Sequence, residues 1–348
     1  MKKLLLSAGV AMLLSGAASA QDIHFTQYWT SPLTLNPAMT GLISEDLRFA
    51  GNYRMQWSSV SANPYMTGSL SYDMALLKGK LPEGDALGIG VLGFYDKAGS
   101  GSLQNTTVGL ALAYHKAFGY DRLHHVSIGF QGQLVQKNLD FAKLTFEDQY
   151  NSFLGTIGTT GTSEKFNNAD LSYPDFNVGA MYSGKVADHV TGYAGYSYYH
   201  LTQPVETFLG NTNHQIHGRH TAYLGGSFDL NPNTVLYASA LYQSQASATE
   251  VMVGTAVGFV LNPGHDEEYQ KSTIFYLGGW YRYGDAICPY ISIEWTKMRI
   301  GLSYDVNVST FTPATSGLGA YELSFIFLGR INKHERNPTY TWACPKIF

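Results

Sequence analysis

Charge and cysteine are what this 348-residue sequence has least of. Lys and Arg number 22 and Asp and Glu 26, so 14% of residues are charged, against roughly 25% in an ordinary soluble domain. A net charge of -4 excludes a basic face able to release counterions from phosphates, so no nucleic-acid partner is expected. Two cysteines cannot build a disulfide scaffold. Long apolar runs are missing as well: after residue 20 nothing approaches the roughly 18 to 20 consecutive apolar residues of a spanning helix. In place of charge the chain carries 37 Gly, 25 Tyr and 18 Phe, which argues against a coiled coil or a disordered chain.

The first twenty residues form a separate unit. Met1-Lys2-Lys3 is followed by an apolar run from Leu4 to Leu14 and by Ala18-Ser19-Ala20, the three regions of a secretory signal in order. Cleavage before Gln21 is expected, and no Cys follows for lipid anchoring. An exported chain without a helical anchor is either secreted or an outer-membrane barrel. Low charge and abundant aromatics favour the barrel.

Periodicity supports that choice. From Arg299 to Ser309, Ile300, Leu302, Tyr304, Val306 and Val308 alternate with Arg299, Gly301, Ser303, Asp305, Asn307 and Ser309, giving one apolar and one polar strand face. The same division recurs, with Arg48, Asn52, Arg54 and Gln56 opposite Leu47, Phe49, Tyr53 and Met55, and Glu322 opposite Tyr321 and Leu323. Strands are predicted near 46–58, 64–75, 86–98, 103–117, 123–137, 173–184, 189–201, 218–230, 233–243, 248–260, 273–284, 286–296, 298–309 and 319–329. This is an all-β, transmembrane antiparallel outer-membrane β-barrel of about fourteen strands. A soluble two-sheet sandwich also alternates, but at this length it would carry more surface Lys and Glu.

The predicted organisation is a signal peptide (1–20), an N-terminal periplasmic or plug segment (21–45), the barrel (46–329) and a periplasmic C-terminal tail (330–348). An even strand count puts both termini on the periplasmic side. The long segments 138–172 and 202–217 then fall outside and tight turns such as 119–122 and 230–233 inside. Asn262–Ser272 and Gly284-Asp285 break that asymmetry. Arg48, Arg54, Gln56, Arg299, Asp305, Asn307 and Glu322 are the expected lumen or seam polar residues, while Tyr276, Trp280 and Tyr290 are bulky enough to fill the interior.

Several stretches together resemble one family. QDIHFTQYWTSPLTLNPAMTG at 21–41, YRMQW at 53–57, ALGIGVLGFYDKAGSG at 86–101, ALAYHKAF at 111–118, YLGGWYRYGDAICPYISI at 276–293, RIGLSYDVNVS at 299–309, GAYELSF at 319–325 and the terminal CPKIF resemble the PorP/SprF family of outer-membrane proteins linked to the type IX secretion system of Bacteroidota. The resemblance marks Asp96 and Gly99 as a strand-turn motif and Leu35, Asn36, Pro37 and Ala38 as a docking or plug segment. By local chemistry alone, Asn36-Pro37 is a turn or an extended feature. The chain ends Cys-Pro-Lys-Ile-Phe where the family often has Cys-Pro-Arg-Phe, and its tail is too short for the peptidoglycan-binding domain that some relatives carry. The resemblance implies a non-catalytic part in protein secretion without a cofactor. Its partners would be a secreted cargo with a type IX sorting domain, such as a cell-surface adhesin or gliding-motility protein, periplasmic secretion-ring proteins, and outer-membrane lipid. The segment 21–45 and the tail would engage the periplasmic apparatus.

Other constellations carry less. His214, His217 and His220 are three apart, which sends alternate imidazoles to opposite faces of an extended chain rather than to one metal. Ser and His abound, but no spacing marks the triad of a lipid-modifying enzyme, and His115, His124 and His125 lie near the periplasmic end. Asp266-Glu267-Glu268 lacks the alternating ligand spacing of a Ca²⁺ loop. Cys288 and Cys344 are expected at opposite sides of the membrane, too far apart for a disulfide. A porin-like or hydrophobic-substrate channel is the alternative function, since about fourteen strands leave room for one.

Overall fold

The computed structural model describes residues 22, 24–77, 80–99, 103–151, 156–158, 162–163, 169–208, 214–262, 273–310 and 312–331. The expected signal peptide, Gln21, Asp266–Glu268, Cys344 and the tail beyond Ile331 lie outside the described residues. No helix among the described residues is long and apolar enough to cross a membrane. Fourteen antiparallel strands close into one barrel: β1 Leu47–Gln56, β2 Tyr65–Leu76, β3 Ala86–Ala98, β4 Leu103–Phe118, β5 His124–Asn138, β6 Asp170–Ala187, β7 Val190–Tyr199, β8 Arg219–Asn231, β9 Thr234–Gln245, β10 Ala248–Asn262, β11 Thr273–Arg282, β12 Ala286–Trp295, β13 Met298–Asn307 and β14 Leu318–Gly329. Each strand pairs with its sequence neighbours, and β1 pairs with β14 from Leu47↔Gly329 to Gln56↔Ala320. Closure leaves no edge and satisfies every strand from both sides, which is what a spanning sheet needs in a solvent without hydrogen bonds.

The two faces sort by chemistry. Outward positions in mid-strand are aliphatic and exposed: Val108, Leu110, Ile128, Leu224, Leu277, Leu302 and Leu323. Toward the end with the long connections this band meets exposed Tyr53, Tyr95, Tyr196, Tyr242, Tyr281 and Tyr321. Toward the other end it meets Phe118, Phe228, Phe259, Trp295 and Phe327. An apolar belt between two aromatic girdles is the surface of a barrel fitted to a bilayer. The wall is not uniform in height. β4, β5 and β6 run 16, 15 and 18 residues, whereas β1 and β11 to β13 run 10 each. The tall side carries both long connections, between β5 and β6 and between β7 and β8.

The N-terminal segment, read from the sequence as periplasmic or plug, lies inside the barrel: residue 22 and residues 24–46 run through the lumen along its length. Asp22 lies among His200, Arg219 and Gln245 at the loop-bearing rim. Glu45 and Asp46 lie at the opposite rim, where Glu45 pairs with Arg330 at 2.9 Å and Asp46 accepts from the Ile331 N–H. Asp22 and Ile331, the first and last described residues, therefore stand at opposite mouths of the barrel. The cause is packing: Phe25, Tyr28, Trp29, Leu33, Leu35, Met39, Leu42 and Ile43 are all buried, and the interior is the place where this stretch buries them.

Candidate functional site: a filled lumen and its loop-bearing mouth

Within the lumen the segment folds into three short turns: 3-10 turns at Tyr28–Thr30 and Pro37–Met39 flank a single helical turn, α1, at Pro32–Leu35. Local chemistry sets these bounds. Pro32 occupies the first position of α1, where a missing N–H costs nothing. Pro37 forces Asn36 out of the helical region, to φ -159° and ψ 122°, and the Asn36 Oδ1 accepts the Ala38 N–H at 2.8 Å to start the next turn. One helical turn cannot satisfy its own last carbonyls. The wall does so: Tyr199 Oη donates to Leu33 O, Arg219 Nη2 to Thr34 O and Ser197 Oγ to Leu35 O, at 3.0, 3.2 and 2.7 Å.

The wall is shaped for this occupant. A Cβ added to Gly179 would stand 1.9 Å from Asn36 Oδ1, one on Gly129 2.3 Å from Ala38 N, one on Gly88 1.8 Å from Thr40 O, and one on Gly301 2.6 Å from Gln27 Oε1. Glycine at these four inward positions is the close-approach use of that residue. Asn36 Nδ2 donates to Ala180 O, Tyr196 O and Tyr223 Oη at 3.1, 3.2 and 3.1 Å. Toward the terminal end, Arg48 holds Asp73 through two nitrogens at 3.0 and 2.8 Å and donates to Met39 O at 2.9 Å, while Asp73 accepts the Gly41 N–H at 2.7 Å. His115 bridges Thr40 O and Ser127 Oγ at 2.8 and 2.7 Å. Midway, Trp29 lies against Trp280 and Tyr290, with ring centroids 4.1 and 5.4 Å apart, and Tyr28 Oη donates to Ser239 Oγ at 2.7 Å.

Higher up, Thr26 is the centre of a buried charged hub. Its hydroxyl lies 2.8 Å from Asp305 Oδ1 and accepts from Arg54 Nη1 and Arg282 Nη2 at 2.5 and 2.7 Å. Its N–H and that of Gln27 donate to the two Glu322 oxygens at 2.8 and 2.9 Å. Arg54 also pairs with Asp305 across 2.7 Å and Glu322 across 3.3 Å, linking β1 to β13 and β14 over the closing seam. All these side chains are buried, so the pairs act without solvent screening and depend on one another.

The expected polar residues thus fall into separate places. Arg54, Asp305 and Glu322 meet at the hub; Arg48 pairs with Asp73 near the terminal end. Arg299 pairs with Glu294 and lies over the Tyr276 ring at 4.8 Å. Asn307 binds Thr315 in the short helical turn α2, Thr312–Thr315, and half-buried Gln56 closes β1. Asn36, Pro37 and Ala38 sit against Gly179 and Gly129, and Leu35 O accepts from Ser197. Asp96 accepts from Thr67 at 2.7 Å, and Gly99 turns with φ 68°. The inward face is accordingly closed to solvent at these positions: Gln131, Asn177, Ser197, Thr221, Met252 and Cys288 are 0% exposed. One cavity beside the segment, lined by His24, Thr34, Arg219 and Gln243 among others, holds about 20 Å³, room for a water. Sequence reasoning missed Asp73 and Arg282 and did not connect His115 or the inward glycines with this segment; a glycine repeated on the polar strand face was the available signal.

At the loop-bearing mouth the two long connections lean on each other. Lys137 and Tyr173 both reach Glu206 at 2.7 Å, Val205 bridges to Gln215, and Phe141 meets Phe208 edge-on at 6.2 Å. His220 lies on the outer face against Tyr196 and Tyr198, apart from exposed His214, and among the described residues no three potential metal ligands converge. Asp22 is held by His200 Nε2 at 2.7 Å, Arg219 at 3.2 Å and the Gln245 amide at 3.2 Å. Burial favours neutral His200, but Asp22 and Asp175 outweigh it and raise its pKa to about 9. Burial likewise opposes ionised Asp22, yet His200 and Arg219 hold it well below the usual carboxylate range. His24 goes the other way: burial dominates the pull of Glu250 and lowers its pKa to about 4, leaving a neutral ring 3.1 Å from that acid.

Among solved structures the chain is similar to the toluene transporter TbuX of Ralstonia pickettii (12% identity, 89% of this chain and 94% of that chain, TM-score 0.46). It is similar also to the toluene transporter TodX of P. putida (12%, 85% and 93%, 0.47) and to a Pseudomonas aeruginosa FadL homologue (12%, 84% and 92%, 0.45). No curated protein matches the chain. The family model described as type IX secretion system membrane protein PorP/SprF matches residues 17–327. That span includes the lumen segment and almost the whole barrel, and the chain belongs to the PorP/SprF family of type IX secretion system membrane proteins.

Proposed function

We propose that this protein is a non-catalytic docking barrel of type IX secretion that holds a secreted cargo, such as an adhesin with a C-terminal sorting domain, at its loop-bearing mouth. The observation that carries the reading is the lumen, filled along its length by residues 24–46 and walled by glycines with no room for a Cβ. A barrel closed by its own chain acts at its two ends rather than through its middle, which disfavours a porin or a hydrophobic-substrate channel. The loop-bearing end faces outward by the usual asymmetry of such barrels, and there the tall wall and the paired connections offer a structured surface. The opposite rim, where Glu45 pairs with Lys297 and Arg330 and Asp46 accepts the Ile331 N–H, is the surface left for periplasmic ring proteins.

The test is affinity purification of the tagged protein from gently solubilised native outer membranes, with partners identified by mass spectrometry. The reading expects a stoichiometric secreted protein bearing a sorting domain. Recovery of lipid and general porins alone would overturn it.

A further inference from the structure

We infer that His200, Arg219 and Gln245 form a carboxylate receptor at the loop-bearing mouth, filled in the resting protein by Asp22 and able to exchange it for an aspartyl carboxylate of the docked cargo. The inference rests on the docking reading above and deepens it.

The receptor is built before its ligand arrives. Arg219 and His200 expose only 9% of their side chains, whereas Asp22 exposes 27%; the cations are the floor and the carboxylate is the lid. Arg219 is fixed by Tyr199, whose ring lies 4.3 Å beneath the guanidinium, and by Thr34 O. His200 Nδ1 lies 2.8 Å from Asp175 Oδ2, which leaves Nε2 for the ligand. Gln245 reads two features together: its Oε1 accepts the Asp22 N–H at 2.7 Å while its Nε2 donates to Asp22 Oδ1 at 3.2 Å. A carboxylate one side chain away from a peptide N–H is therefore what the site recognises. Arg219 Nε, buried, has no hydrogen-bond partner among the described residues.

Charge explains why the site favours an occupant. With Asp22 gone, Arg219 is left buried without its carboxylate, and an uncompensated buried charge is strongly unfavourable. Geometry explains why Asp22 can leave. Phe25, buried against Phe94, and Thr26 in its hub pin the segment just after it, so Asp22 swings out without unseating the rest. An extended acidic stretch of cargo then meets a site already shaped for it.

The test uses the full-length protein in detergent with Asp22→Ala, and N-acetyl-aspartate methylamide as probe against the asparagine analogue. The aspartyl probe should raise the melting temperature of Asp22→Ala and leave the wild type and the Asp22→Ala/Arg219→Met protein unmoved; the asparagine probe should do nothing. Equal responses to both probes, or none, would overturn the receptor. In native membranes, Arg219→Met and, independently, His200→Gln should lower retained cargo about tenfold, one decade in affinity, while Asp22→Ala retains at least the wild-type amount. Loss of cargo in Asp22→Ala to the level of Arg219→Met would make Asp22 a direct contact and overturn the exchange. A probe response with no cargo on the wild type overturns the docking reading alone; cargo retained without a probe response overturns the receptor alone.

Discussion

Substituting Ala for Gly179 on β6 tests the threaded lumen at one of its tightest points. The new Cβ would stand 1.9 Å from Asn36 Oδ1, 2.8 Å from its Cγ and 3.2 Å from Pro37 Cδ. Asn36 cannot step aside cheaply, because its two amide hydrogens are shared among three wall acceptors and its Oδ1 accepts the Ala38 N–H. Losing three bonds at about 1 kcal/mol each costs ~3 kcal/mol, and replacing a strand glycine by Ala returns about 0.5 to 1 kcal/mol. The balance, ~2 kcal/mol, is about one and a half orders of magnitude in the population with the segment unseated. Cys288 reports that population: it is 0% exposed and shares a buried cluster with Trp29 and Trp280. With Cys344 replaced by Ser it is the one thiol left, and its reaction with a hydrophilic maleimide requires opening. Gly179→Ala should label about thirtyfold faster than wild type. The control is Gly93→Ala, where the nearest atom to a Cβ is Leu70 O at 3.9 Å, and it should label at the wild-type rate. Equal labelling of both variants and wild type would show that residues 35–38 do not lie against β6.

Arg54→Met should leave Asp305 and Glu322 buried without that partner and lower stability by about 3 to 5 kcal/mol, read as a lower temperature for the heat-induced mobility shift on gels; adding Glu322→Gln should recover part of it. Thr26→Val keeps the shape of the hub but removes one donor and the acceptor of two arginines, and should lower the same temperature by less than Arg54→Met does. His200, raised from 6.5 to about 9, stabilises the fold fully below pH 6.5 and loses that contribution as pH rises through 9, on the order of 3 kcal/mol; melting in detergent should show this fall in wild type and not in His200→Gln. His24, lowered from 6.5 to about 4, stabilises above pH 6.5 and loses its contribution as pH falls toward 4, a fall that His24→Gln should remove.

The strands were legible because a membrane barrel writes each face in a different alphabet. Residues 299–309 alternate so strictly that their ends agree with β13 to within two residues, and 86–98 coincides with β3. The route of residues 22–46 was not legible, because Asn36-Pro37 specifies only a local turn, and the partner that decides where the turn goes is a glycine far along the chain. By alternation Gly129 falls on the same strand face as Gln131 and Gln133. A polar face interrupted by glycine signals that another backbone passes close, but the sequence does not say which one. The charged hub was legible in part: Arg54, Asp305 and Glu322 share the inward face, whereas Arg282 joins them only through the register of β11 with β12 and the position of Thr26. Periodicity likewise cannot show that Asp22 ends in a cationic clamp, since His200 and Arg219 flank a long connection whose course is set by tertiary packing.

A lumen closed by the protein's own chain is the claim on which the docking account stands, and conductance of the purified wild-type barrel in planar bilayers tests it most directly. The account predicts a silent barrel that becomes conducting when residues 22–43 are deleted. Sustained conductance by the wild-type protein, unchanged by that deletion, would contradict it.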